Sequence, residues 1–196
     1  MGFQIPALQL KRLLVMCAHN QGQLINYSKL GESLGLTHPT IRRYIDLLEQ
    51  TFILRTLLPY ETNVKKRLVK SPKVFVRDSG LLHQLLAISD FNYLLGNPVF
   101  GSSWEGVVVE NVLVNMPDWN YYFYRTATGD ELDLRLEKGN QRIAIECKAA
   151  TAPKLTKGFY RALDVIKPQQ TFVIIPTQVL YEIAPNITVC GLSEFL

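Results

Sequence analysis

The sequence predicts a mixed α/β (α+β) chain made of two modules. Three observations carry this. Helical and strand periodicities alternate along the 196 residues, and the chain is 47% apolar and 19% charged, enough to fill a core and too apolar for a disordered chain. Charge is unevenly spread: residues 1–98 hold 12 Lys/Arg against 6 Asp/Glu, whereas residues 99–196 hold 9 against 11. A stretch rich in Gly, Pro, Asn and Ser, GNPVFGSS (96–103), falls between the halves and reads as a boundary. The expected domains are therefore 1–95 and 96–196.

In the first module, Ile5 to Ala18 reads as a helix, with Leu10, Leu13, Leu14 and Cys17 at helical spacing and Pro6 near its start. HNQGQ is a loop. NYSKLGESLGL reads as a short helix with Leu30 and Leu34 inward and Gly35 as its stop. THPTIRRYIDLLEQ follows as a second helix, with Thr37 as N-cap and Ile41, Ile45 and Leu48 as its apolar stripe. TFILRTLLPY and KVFVRD are strand-like and flank the basic stretch ETNVKKRLVKSP. Helix, helix–turn–helix and a two-stranded hairpin with a basic tip is the layout of a winged helix. Asp78 then caps a helix, DSGLLHQLL.

The second module opens with a helix over WEGVVVENVLVNM, supported by the spacing of Trp104, Val108 and Val112. NYYFYRT is a strand. TGDELDLRLE and QRIAIECKA are alternating strands joined by the turn KGNQ. KLTKGFYRALDVI is an amphipathic helix and QTFVIIP a buried strand. The order is α-β-β-β-α-β.

Some classes drop out. No apolar run approaches the roughly 18 residues of a membrane span, and the N-terminus has no signal-peptide pattern. Cys17, Cys147 and Cys190 are distant and odd in number, as are His19, His38 and His83. Reduced thiols in a cytoplasmic protein fit better than disulfides or a soft-metal site.

Two sets of residues carry chemistry. In a helix–turn–helix the second helix enters the DNA major groove with its first residues at base edges. Those residues are His38, Thr40, Arg42 and Arg43. The wing supplies Lys65, Lys66, Arg67, Lys70, Lys73 and Arg77, with no acid from Val64 to Arg77, as phosphate contacts would require. A docking or spacer role remains open for this module. The second set lies on the hairpin. Counting outward from its turn pairs Glu137 with Arg142, Arg135 with Ala144, Asp133 with Glu146 and Glu131 with Lys148, all on one face. Leu132, Leu134, Leu136, Ile143, Ile145 and Cys147 occupy the other. An ordinary polar face explains the two ion pairs. It does not explain Asp133 opposite Glu146, since opposed like charges destabilise by roughly 0.2–1 kcal/mol. A Mg²⁺ ion between them would reverse that sign. Lys148, two residues from Glu146, would orient or deprotonate a water or stabilise a phosphate there. Glu105 or Glu110 on the preceding helix would complete the metal set. Trp104, Tyr121, Tyr122, Phe123 and Tyr124 read as packing aromatics, and Lys154, Lys157 and Arg161 as a solvated face.

Asp133 followed by Glu146-Cys147-Lys148, after a helix bearing Glu105, resembles the core motif of the PD-(D/E)XK nuclease superfamily. Several stretches, among them NYSKLGESLGLTHPTIRRYIDLLEQTFIL, KSPKVFVRDSGLLHQLL, GSSWEGVVVENVL, YYFYRTATGDELDLRLE and IAIECKA, resemble a prokaryotic domain of unknown function found C-terminal to AAA-type ATPases. The resemblance implies a winged helix followed by a restriction-endonuclease-like domain. It places Glu105 as the helix acid, Asp133 as the strand acid, Glu131 as the acid before it, and Glu146 with Lys148 as the ExK pair. No G-x-x-x-x-G-K-[ST] occurs in the chain, so ATP binding is not expected of these residues. A fragment, or a stand-alone relative, is expected. Two functions are open: a Mg²⁺-dependent phosphodiesterase acting on DNA, with RNA second, or a non-enzymatic module that binds nucleic acid or an ATPase partner on an inert nuclease-like scaffold.

Overall fold

A computed structural model describes residues 6–61 and 68–196. Val64, Lys65, Lys66 and Arg67 of the expected wing lie outside the described residues. Two compact units are present: the described residues of Met1–Thr56 with Ser71–Gly106, and those of Leu57–Lys70 with Val107–Leu196. Each combines helices with one sheet. Residues 57–70 go to the second unit and residues 96–106 to the first.

In the first unit α1 (Ala7–His19) leads to α2 (Tyr27–Leu34) and α3 (His38–Gln50). The Asn26 side chain caps α2 by accepting from Lys29 N, and Gly35 ends it in the left-handed conformation, φ 64°. Gly31 is required for the turn between α2 and α3, because a Cβ there would meet Leu36 O at 2.5 Å. Thr37 stands at the cap of α3, but its hydroxyl bonds the Thr40 hydroxyl at 2.9 Å rather than a backbone N–H. Ile41, Ile45 and Leu48 are buried as expected, and Tyr44 joins them. They pack with Leu13, Cys17, Leu30, Leu54 and Val76 into one core.

The sheet of this unit has the order β1 (Gln23–Leu24), β3 (Lys73–Val76), β2 (Leu54–Leu57). β1 falls in the stretch that reads as a loop, and two residues are too short to show alternation. Asp78 caps α4 (Ser79–Leu85) through a 2.6 Å bond from Leu81 N. A short helix α5 (Phe91–Leu95) follows. Helix α6 runs Phe100–Asn115, so it begins inside the GNPVFGSS stretch, and the division between the units falls after Gly106.

The second unit holds a six-stranded sheet of order β4-β5-β6-β7-β9-β8. β4 (Asn120–Arg125), β5 (Glu131–Lys138) and β6 (Gln141–Cys147) are antiparallel neighbours. Helix α7 (Lys157–Ile166) carries the chain to β7 (Gln170–Ile175), which runs parallel to β6. Beyond the expected order, β8 (Leu180–Ala184), β9 (Ile187–Gly191) and α8 (Leu192–Phe195) extend the sheet. Thr156 caps α7 by accepting from Phe159 N. Phe159, Ala162 and Ile166 of α7 pack with Leu132, Ala144, Val173 and Val189. Gly158 lets α7 approach the β4–β5 turn, since a Cβ there would lie 2.9 Å from Gly129 O.

The other side of β4 is paired by the stretch that reads as a wing. Tyr60 N donates to Phe123 O, Phe123 N to Leu58 O, and Val69 N to Arg125 O. Pro59 bridges Phe123 and Leu68 bridges Thr126. These bonds occupy part of what would otherwise be a bare sheet edge.

Candidate functional site

Asp133, Glu146 and Lys148 are brought together at the end of the β5–β6 ladder. Arg135 pairs with Ala144 and Glu137 with Arg142, as the counting predicts. The ladder's last pair is Leu134 with Ile145, so Asp133 opposite Glu146 and Glu131 opposite Lys148 lie beyond it. The reason is a bulge. Against β4, Tyr122 faces Arg135 while Tyr124 faces Leu132, so Asp133 and Leu134 both stand against Phe123. A bulge re-aims the side chains around it. Leu132 consequently packs in the cluster with Ala144 and Phe159, and the simple alternation that grouped it with Leu134 and Leu136 does not hold.

The re-aimed Asp133 uses its Oδ2 to accept from Cys147 N at 2.9 Å. The direction of that N–H follows from the neighbouring strand. Lys148 N donates to Ile174 O of β7, so the adjacent Cys147 N–H points the opposite way, toward β5. Glu146 is 6% exposed. Its Oε1 accepts from Lys148 Nζ at 2.6 Å. Burial lowers the affinity of Lys148 for its proton. The Glu146 charge and hydrogen bond, with the Asp133 charge and the Cys147 thiol, outweigh it and hold the ammonium above the usual lysine range. Lys148 is therefore held as an ammonium that donates to Glu146.

The polar face of the hairpin is buried at Arg135 and Glu146 and half-buried at Glu131, Glu137 and Arg142. Arg135 is 1% exposed. Its Nη1 donates to Glu137 Oε2 at 2.8 Å, and its guanidinium lies 3.7 Å from the centre of the Tyr60 ring. Sequence patterning missed this, although Ala144 opposite Arg135 leaves the room a buried arginine needs. It also missed Asp130, 2% exposed, whose Oδ1 accepts from Arg161 Nε at 2.6 Å. Arg161 is thus an anchor of α7 and not only part of a solvated face. Glu131 meets Arg125 at 3.7 Å.

Glu105 lies in the first unit, where its Oε1 accepts from Lys73 Nζ at 2.8 Å. Lys73 is 2% exposed. It is the buried partner of an acid and not a phosphate-facing wing residue. Arg77 is half-buried, with its guanidinium 5.1 Å from the Phe52 ring centre. Among the described residues no three His, Cys, Asp or Glu side chains gather into a metal-holding group. The hard oxygens of Asp133 and Glu146 suit Mg²⁺, which takes one or two carboxylates and completes its shell with water and phosphate.

At the start of α3, His38, Arg42 and Arg43 are exposed and Thr40 is half-buried. The His38 ring lies 5.1 Å from that of Tyr27, which steadies the first turn. Lys70 is exposed but belongs to the second unit. Lys65, Lys66 and Arg67 are outside the described residues. The three cysteines are free and buried, and burial pushes the Cys17 thiol up to about 12 and, with the Glu194 charge, the Cys190 thiol up to about 11. Neither is a thiolate nucleophile. No described helix is long and apolar enough to cross a membrane.

The chain is 33% identical, over all 196 residues, to uncharacterized proteins of Mycobacterium tuberculosis and Mycobacterium bovis, and it spans 44% of their length. An uncharacterized protein of Haemophilus influenzae is 34% identical over 98 residues, 46% of this chain and 24% of the relative. A crystal structure of a Vibrio cholerae protein aligns with 95% of the chain and 47% of its own, at 14% identity and a TM-score of 0.32, too distant a likeness to define the fold. Residues 2–92 match one domain of unknown function (DUF8612) and residues 100–195 match a second (DUF4143), so the sequence is covered almost end to end by two domain families of unknown function with relatives in bacteria.

Proposed function

We propose that the second unit is a nuclease-like domain, a Mg²⁺-dependent phosphodiesterase acting on nucleic acid, DNA before RNA, and that the first unit is a winged helix that holds the strand. The observation that carries this reading is the meeting of two carboxylates and one charged lysine, Asp133, Glu146 and Lys148, at a bulge where the ladder ends. Asp133 and Glu146 would hold the ion. Bound there, Mg²⁺ supplies Lewis-acid polarisation of the scissile phosphate. The backbone N–H of Cys147 fixes the Asp133 carboxylate. The Lys148 ammonium positions the attacking water through Nζ and offsets charge growing on the phosphate oxygens. Glu105 has its cation partner in Lys73 and is left out of the metal set.

For the first unit, support comes from α2 and α3 joined by a tight turn, from the sheet β1-β3-β2 behind them, and from exposed His38, Arg42 and Arg43 on the first turns of α3. We further propose that the chain works beside an AAA-type ATPase. The chain spans 44% of the mycobacterial relatives' length, and its motifs resemble domains that follow such an ATPase.

One contact favours a second reading, an inert scaffold that binds nucleic acid or an ATPase partner. Lys148 Nζ already takes Glu146 Oε1, an oxygen the metal would use. Calorimetric titration with Mg²⁺ and cleavage assays on single- and double-stranded DNA and RNA separate the two. The phosphodiesterase reading predicts metal uptake and cleavage that Asp133→Ala and Lys148→Ala abolish. Equal behaviour of all three proteins would end it.

A further inference from the structure

The residues that pair along β4 also build a cavity of about 370 Å³ in the second unit. That lies within the roughly 300–1,000 Å³ of ligand pockets. Its walls include Tyr60, Tyr122, Lys70, Glu61 and Glu137. The Tyr60 and Tyr122 rings pack on one another, with centres 5.8 Å apart and planes tilted by 55°. The Arg135 guanidinium sits 3.7 Å from the centre of the Tyr60 ring, so it fixes that ring without depending on any ligand. Arg135 also bonds Glu137 Oε2, which aligns a second carboxylate at the wall. The wall therefore combines an aromatic ring, Tyr122, with two carboxylate acceptors and one exposed ammonium.

We propose that this cavity binds a nucleobase with an amino-bearing edge, guanine best of all. A planar base stacks on the Tyr122 ring, which lines the cavity, since every base has a π-face. A carboxylate selects among bases by what it can accept. Guanine presents N1–H and the N2 amino group side by side, matching the two oxygens of one carboxylate. Uracil and thymine flank their N3–H with carbonyl oxygens, which repel a carboxylate. Lys70 stands where a phosphate attached to the base can be met as a point charge. As a device that selects the strand to be cut, the cavity rests on the phosphodiesterase reading; as a binding site it does not. A base inside it is unpaired, so the strand it favours is single-stranded.

The test uses nucleosides on the whole chain without metal, so that a failure of cleavage and a failure of this site are distinct results. Guanosine and uridine are titrated against the protein, following tyrosine fluorescence and amide NMR shifts. The expected result is saturable guanosine binding with chemical-shift changes on β4 and β5, and uridine binding weaker by about tenfold or more. Tyr122→Ala should weaken guanosine by about tenfold or more, while Tyr122→Phe keeps it. Glu61→Gln, at an exposed position that leaves the core intact, should remove most of the preference for guanosine over uridine. No saturable guanosine binding, or binding unchanged in both Tyr122→Ala and Glu61→Gln, overturns the proposal.

Discussion

Replacing Lys148 with Met tests how the charged groups of the candidate site depend on each other. Glu146 and Lys148 side chains are 8% and 28% exposed, and their charged atoms are 2.6 Å apart. Removing one partner of a fully buried pair costs about 3–5 kcal/mol, because the remaining charge is left desolvated. Partial exposure of Lys148 allows water to screen Glu146, so the expected cost is about 2 kcal/mol. Glu146→Gln combined with Lys148→Met removes both charges, and the double variant should be less destabilised than the sum of the singles by about 1–2 kcal/mol. Urea unfolding near neutral pH, with midpoints compared at constant slope, measures all three. Single costs under about 0.5 kcal/mol, or costs that add in the double variant, would refute the claim that the pair is buried and coupled.

The same pair gives an alkaline signature. Lys148 holds its proton above its ordinary value of 10.5, so its stabilising contribution is complete below that pH and is lost as pH rises through the folded-state value. Wild type should lose urea midpoint more steeply than Lys148→Met above that pH. Gly158→Ala forces a Cβ to within 2.9 Å of Gly129 O, and overpacking of that kind should cost about 1–3 kcal/mol in urea unfolding. Arg42→Ala and Arg43→Ala, both at exposed positions, should each weaken DNA binding. As base-edge contacts, each should cost about 1–3 kcal/mol of affinity for a preferred sequence in a fluorescence-anisotropy titration.

Elements with local chemical markers were legible in the sequence. Gly35 stops α2, Asp78 caps α4, and the apolar stripe of Ile41, Ile45 and Leu48 identifies α3. The order β-β-β-α-β after α6 followed from periodicity, the helix itself from spacing together with the family resemblance, and the pairings of Arg135 with Ala144 and Glu137 with Arg142 from counting outward from the turn. The bulge at Asp133 was not legible. An extra residue against β4 leaves the pattern Leu132-Leu134-Leu136 unchanged in sequence while Leu132 packs with Ala144 and Phe159. Buried charges were equally hidden, because Lys73 and Arg135 look like any charged residue until Glu105 and Tyr60 arrive from distant parts of the chain. The basic stretch showed its lysines clearly. It did not show that Tyr60 and Val69 at its flanks donate to β4, since such pairing leaves no local pattern.

We propose above that Asp133, Glu146 and Lys148 form a working phosphodiester-cleaving site. The most direct measurement is Mg²⁺-dependent cleavage of a labelled single-stranded DNA by wild type, set beside Asp133→Ala. Cleavage by wild type should require the metal and fall by at least about a hundredfold in the variant, as loss of an electrostatic group at a reacting centre does. Cleavage at the same rate by both proteins, or none by wild type with Mg²⁺ or Mn²⁺ on any nucleic acid, would contradict it.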